Sequence, residues 1–182
     1  MKSTQRNVAY IDGANLHKGI SRFSWKFDYA RFRVWLREKY GVEQAYLFLG
    51  MIPRYKDLYT KLQEQGYTLV YKEVVYDNDG KAKGNCDADV VVHAMRDSYE
   101  KRFDGVVIVA SDGDYAPLVK FLIERQEMVA IVSPYGTSFE QNGTDRCSIL
   151  LKRTGAKIAY IADQKTILVL RKEKAPDADG TA

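Results

Sequence analysis

Two apolar runs in this sequence stop on the same kind of residue. The run NVAYID ends on Asp12, followed by Gly13, Ala14 and Asn15, and the run GVVIVA is followed by Ser111, Asp112, Gly113 and Asp114. In an open parallel sheet the ligand crevice lies beyond the carboxyl ends of the strands, where strand order reverses. If these two strands are neighbours there, Asp12, Asp112 and Asp114 converge, and each glycine lets the backbone turn tightly. Unpaired carboxylates ~4 Å apart repel by a few kcal/mol even at an effective dielectric of ~20. Such a cluster is tolerated when some groups take up protons or a cation sits between them. Hard oxygen donors favour Mg²⁺ or Mn²⁺, which can activate water and offset charge on phosphoryl oxygens. Any one of these aspartates could instead be a helix N-cap. Three of them at two strand ends, in IDGAN and SDGDY, weigh against capping alone.

A third region, KGNCDAD, spans residues 83–89. Asp87 opens a helix there and could supply a fourth carboxylate. Asp89 and His93 stand four residues apart on one helix face; they are a metal pair or, the favoured reading, a solvated hydrogen-bonded pair. Lys81 and Lys83 flank the region and could hold a phosphate or simply be solvated. With 2 histidines in the chain, a histidine-rich zinc site is excluded. The P-loop, the dinucleotide fingerprint GxGxxG and the GxSxG elbow are absent. Ala14 stands where haloacid-dehalogenase-type phosphatases place their second aspartate.

The elements that must position these residues alternate between strand and helix. Strands are expected at 7–12, 43–51, 67–76, 105–110, 128–133 and 157–161. Helices are expected from Ala14, from Asp28 as N-cap to Tyr40, from Pro53 to Gly66, from Asp87, from Tyr115 to Arg125, and from Phe139 to Lys152. Residues 77–86, DNDGKAKGNC, read as polar loop, and residues 166–170 fit strand or helix. For the helix at Asp87, Ala88, Val91, Val92 and Met95 fall on one stripe and are expected to face the core. The pattern predicts an α/β fold, a doubly wound, mainly parallel sheet with helices on both faces. Residues 1–170 suit one domain, and the charged segment 171–182 reads as a disordered tail.

The 182 residues carry a net charge of +4, which permits a polyanionic partner without demanding one. Cys86 and Cys147 form no CxxC pair and imply reduced thiols in a cytoplasmic protein rather than a disulfide framework. No apolar run approaches membrane-spanning length, so no membrane partner is expected.

In this order the motifs, the IDGAN strand, KGNCDAD opening a helix, and the strand ending in SDGDY, resemble the NYN domain, a branch of the PIN-like nuclease superfamily, and in particular its LabA-like bacterial group. The resemblance runs from about residue 7 to residue 162. It implies a metal-dependent endoribonuclease acting on single-stranded RNA, with the family's acidic positions at Asp12, Asp87, Asp112 and Asp114 and supporting polar positions at Asn15 and Ser111. RNA rather than DNA rests on the resemblance alone. On this reading Asp12 and Asp112 bind Mg²⁺ or Mn²⁺ directly, Asp87 and Asp114 directly or through water, and Lys83 and Arg146 position the phosphate backbone. One position departs: many members carry an aspartate six residues after the one matching Asp87, and here it is His93. A homodimer is among the states the resemblance allows, with no patch assigned to it. The alternatives are a non-catalytic RNA-binding module and, behind it, a metal-dependent phosphatase.

Overall fold

The computed structural model describes residues 6–72, 75–76, 82–83, 86–136 and 146–171. The first strand, β1 (Asn7–Asp12), is buried along its whole length. Its side chains alternate, with Val8 and Tyr10 on one face and Ala9 and Ile11 on the other, as the period of a strand requires. A strand buried on both faces belongs in the middle of a parallel sheet.

Helix α1 (Gly13–Ile20) follows directly, then α2 (Tyr29–Tyr40), β2 (Val42–Gly50), α3 (Lys56–Glu64) and β3 (Tyr67–Lys72). The Asp28 carboxylate accepts from the Arg31 amide at 3.1 Å and so caps α2. A short hairpin pairs β4 (Val75–Tyr76) antiparallel with β5 (Ala82–Lys83). Beyond it lie α4 (Asp87–Tyr99), β6 (Gly105–Val109), α5 (Ala116–Glu124), β7 (Met128–Ser133), α6 (Ile149–Lys152), β8 (Ile158–Tyr160) and α7 (Lys165–Leu168).

The six-stranded sheet has the order β3-β2-β1-β6-β7-β8, and every neighbouring pair in it is parallel. The chain builds outward from β1 to β3, then returns to lay β6 against the other side of β1. Strand order therefore reverses between β1 and β6, as expected. One face is covered through Leu16 of α1, Phe32, Trp35 and Leu36 of α2, Leu62 of α3 and Leu168 of α7. The opposite face is covered through Val90 and Ala94 of α4, Leu118 and Leu122 of α5 and Leu151 of α6. This is the doubly wound α/β arrangement.

Three local expectations need correction, and one left open is resolved. The third strand ends at Lys72, and Val75–Tyr76 instead pairs with Ala82–Lys83, inside the stretch read as plain loop. In α4 the buried residues are Val90, Ala94, Asp97 and Ser98; of the expected stripe Val91 and Met95 pack against the core, whereas Ala88 is exposed and Val92 is 62 % exposed. The helix is turned because it buries a carboxylate whose partners lie elsewhere: Tyr10 donates to Asp97 at 2.7 Å, and Arg96 and Arg102 pair with it. The last helix before β8 begins only at Ile149, capped by Ser148; residues 139–145 of the expected helix lie outside the described residues, as do Lys81 and residues 172–182 of the expected tail. Residues 166–170 divide between the two readings, since α7 ends at Leu168 and Val169 then forms an antiparallel bridge with Phe27.

Candidate metal centre

Three elements bring the acidic residues to the carboxyl edge of the sheet. Asp12 ends β1, Asp112 follows β6 as the cap of a short 3₁₀ turn that carries Asp114, and Asp87 is the first residue of α4. Carboxylate oxygens of Asp87, Asp112 and Asp114 lie within 4.8 Å of one another. Asp112 and Asp114 are exposed and Asp87 is half-buried. Three hard oxygen donors, two of them open to solvent, fit a divalent cation that keeps part of its water shell.

Capping and clustering turn out to involve the same side chains. Asp12 accepts from the Asn15 amide at 2.9 Å, and Asp112 accepts from the Asp114 amide at 3.2 Å. Each cap fixes the carboxylate's rotamer and leaves further lone pairs for the site. The glycines after them serve close approach rather than a left-handed turn, since neither has a positive φ. A Cβ on Gly13 would stand 2.5 Å from the Phe48 carbonyl oxygen, and one on Gly113 2.6 Å from the Ser148 hydroxyl.

Asp12 sits behind the exposed group, 5 % exposed. Tyr115, fully buried, places its hydroxyl 3.0 Å from Asp12 Oδ2 and 2.8 Å from Asp87 Oδ1. A phenol has one proton and two acceptors here, so it satisfies one carboxylate fully and the other only in part. Burial, with the neighbouring Asp87 carboxylate, pushes the Asp12 carboxyl above its ordinary pKa, against the opposing pull of the Asn15 amide and the Tyr115 hydroxyl. Burial and the charges of Asp12 and Asp87 push the Tyr115 phenol far up, so it remains a donor. Cys86, next to Asp87, is buried and its thiol is pushed up to about 11, chiefly by burial, which leaves it inert. Neither cysteine is in a disulfide.

The supporting residues are also drawn in. Asn15 Oδ1 accepts from the Ser111 amide at 3.0 Å, tying α1 to the end of β6. The Ser111 hydroxyl lies 3.1 Å from that of Ser133, and the Ser111 carbonyl accepts from the Ser148 amide at 2.9 Å. Beside Asp112 a cleft of about 340 Å³ opens, lined by Asn15, Lys18, Tyr135, Arg146 and Ser148 among others. Arg146 thus reaches the site edge, joined by Lys18, which the sequence reading did not single out.

Asp89 and His93 are not in the close carboxylate group. Asp89 pairs with Lys72 of β3 at 3.2 Å. His93 packs edge-on against Phe48 with ring centres 5.2 Å apart, and its Nδ1 lies 3.1 Å from the Arg96 guanidinium. Lys83 belongs to β5.

The NYN domain family model matches residues 7–151. The chain is 26 % identical over 153 residues to the Low amplitude and bright protein LabA of Synechococcus elongatus, covering 78 % of this chain and 81 % of that protein. Among solved structures it is similar to a protein of unknown function from Vibrio parahaemolyticus, with a TM-score of 0.70 and 21 % identity over 93 % of this chain and 100 % of that one. That similarity is one of fold. No described helix is long and apolar enough to cross a membrane.

Proposed function

The chain belongs to the NYN domain family, and from that premise we propose that it is a divalent-metal-dependent nuclease that cuts within single-stranded RNA. The observation that carries this reading is the meeting of Asp87, Asp112 and Asp114 within 4.8 Å, beside a cleft edged by Lys18 and Arg146. Like charges held this close call for a counter-charge, and the basic edge calls for an anion. A divalent cation would supply the first and a phosphodiester the second.

In this proposal Asp112, Asp114 and Asp87 hold Mg²⁺ or Mn²⁺. When bound, the cation supplies Lewis acidity toward water and the phosphoryl oxygens. Asp12 acts from behind: its carboxylate and the Tyr115 hydroxyl fix the orientation of Asp87. Asn15 and Ser111 hold the ends of β1 and β6 in register, so the carboxylates from the two strands keep their separation. Lys18 and Arg146 grip the phosphate backbone and neutralise charge that builds on the phosphate in the transition state. Lys81 and Lys83, read from the sequence as residues that could hold a phosphate, would add to this basic set.

The test is a substrate panel: single-stranded RNA, duplex RNA, single-stranded DNA and an aryl phosphate, each with Mn²⁺, Mg²⁺ or EDTA. The expected result is metal-dependent cutting of single-stranded RNA at internal positions. Turnover of the aryl phosphate alone would make the protein a phosphatase. RNA binding without cleavage in any metal would make it a binding module.

A further inference from the structure

We propose that the apolar cavity between α1 and α3 is a nucleobase subsite, taking one unstacked base of the strand whose phosphate lies at the acidic cluster. The inference rests on the nuclease reading and adds to it the part of the substrate that the carboxylates do not touch. The cavity measures about 240 Å³ and is lined by Gly13, His17, Leu49, Tyr55, Leu58 and Tyr59 among others. That is below the roughly 300–1,000 Å³ of pockets that bury a drug-sized ligand, and suits one planar ring system.

Helix α1 is the wall shared by the cavity and the charged cleft. Its residues Gly13 and His17 line the cavity, while Asn15 and Lys18 line the cleft beside Asp112. Gly13 directly follows Asp12, and Asp12 pairs in the sheet with Phe48. The next residue along β2, Leu49, forms part of the cavity wall. A strand crossing the N-terminal turn of α1 therefore passes from the carboxylates to the cavity within a few residues' width of protein.

The lining chemistry matches a base. Tyr59 spends its hydroxyl on the Gly50 carbonyl and the Ile52 amide, each at 3.1 Å, so its ring is what remains for the cavity. Tyr55 is 40 % exposed and Leu58 46 % exposed at the rim. The Arg54 guanidinium lies 4.8 Å from the centre of the Tyr55 ring and donates to its hydroxyl at 2.9 Å. This pins the ring as a positively charged stacking platform, attractive to both a base and its phosphate. The His17 imidazole is exposed and has no hydrogen-bond partner among the described residues, so it can meet the polar edge of a base. A duplex keeps its bases stacked and paired and cannot offer one here without paying to unstack it.

The experiment measures binding of a fluorescein-labelled eight-nucleotide single-stranded RNA in EDTA, by anisotropy, and of copies carrying one abasic position each. Wild type should lose affinity at one abasic position. Tyr55→Ala should weaken binding of the intact strand by about 5- to 100-fold, the range for one lost base–aromatic stack, and become indifferent to that abasic position. The salt dependence should keep its slope, because no phosphate contact is removed. Leu58→Trp, which fills the cavity from an exposed position, should act in the same direction. If wild type cuts RNA with Mn²⁺ while both variants bind intact and abasic strands as wild type does, the subsite is overturned and the nuclease reading stands. A wild type that neither binds nor cuts RNA overturns both.

Discussion

Helix α4 carries a tyrosine–aspartate contact at each end, and the two are built differently. At its C-terminal end Asp97 is 2 % exposed, accepts from Tyr10 at 2.7 Å and pairs with two guanidinium groups, Arg96 and Arg102. At its N-terminal end Tyr115 divides one proton between Asp12 and Asp87. Asp12 is almost as buried, yet it has no cationic partner among the described residues. A carboxylate buried for structure brings its counter-charges with it. Asp12 brings none with it among the described residues, and its charge is left to be offset by a proton or a cation.

This contrast can be broken or sharpened by stability measurements. The largest effect should come from metal. Mn²⁺ at about 100 times its Kd should raise the unfolding free energy by about 2.7 kcal/mol, as read by urea denaturation, and Asp112→Asn combined with Asp87→Asn should remove that gain. Stabilisation that survives the double variant would place the metal elsewhere.

Asp97→Ala comes next. It strips the acceptor from the buried Tyr10 hydroxyl, while Arg96 and Arg102 are about half exposed and stay solvated. The expected loss is about 2 kcal/mol, with no change in Mn²⁺ affinity. A neutral result would erase the difference between the two ends of α4.

Asp12→Asn is expected to be milder and opposite in sign. Asparagine caps α1 as well as aspartate does, and the variant removes repulsion with Asp87. In EDTA it should be neutral or stabilising by up to about 1 kcal/mol. The pH dependence follows from the same residue. The folded state holds the Asp12 proton to a higher pH than the unfolded chain does. In EDTA, the contribution of Asp12 to stability should therefore be full below about pH 4, the ordinary carboxyl range, and fall as pH rises through the elevated folded pKa. Asp12→Asn should flatten that fall.

Much of this was legible in the sequence. Apolar runs that stop on Asp12 and Ser111-Asp112 announced both strand ends, and the alternation of strands with helices announced the parallel sheet that sets them side by side. What the pattern missed depends on distant partners. The Tyr115 hydroxyl meets Asp12 across 103 positions of chain, and nothing local distinguishes that tyrosine from a core one. The core face of α4 was read only in part, with Val91 and Met95 right and Ala88 and Val92 wrong, because Asp97 looks like a surface residue until Tyr10 and Arg102 are brought beside it. Lys18 reads as one more exposed helix lysine, and only the fold shows that it lines the same cleft as Asp112 and Arg146. The glycines were found at the right positions for a different reason, close contact with Phe48 and Ser148.

The most direct test of the central claim is cleavage of a labelled single-stranded RNA by wild type and Asp112→Asn side by side, in Mn²⁺ and in EDTA. The account predicts cutting by wild type in Mn²⁺ alone and a loss of about 100-fold or more in the variant, with its urea unfolding midpoint unchanged in EDTA. Equal cleavage by a folded Asp112→Asn, or cleavage that persists in EDTA, would contradict it.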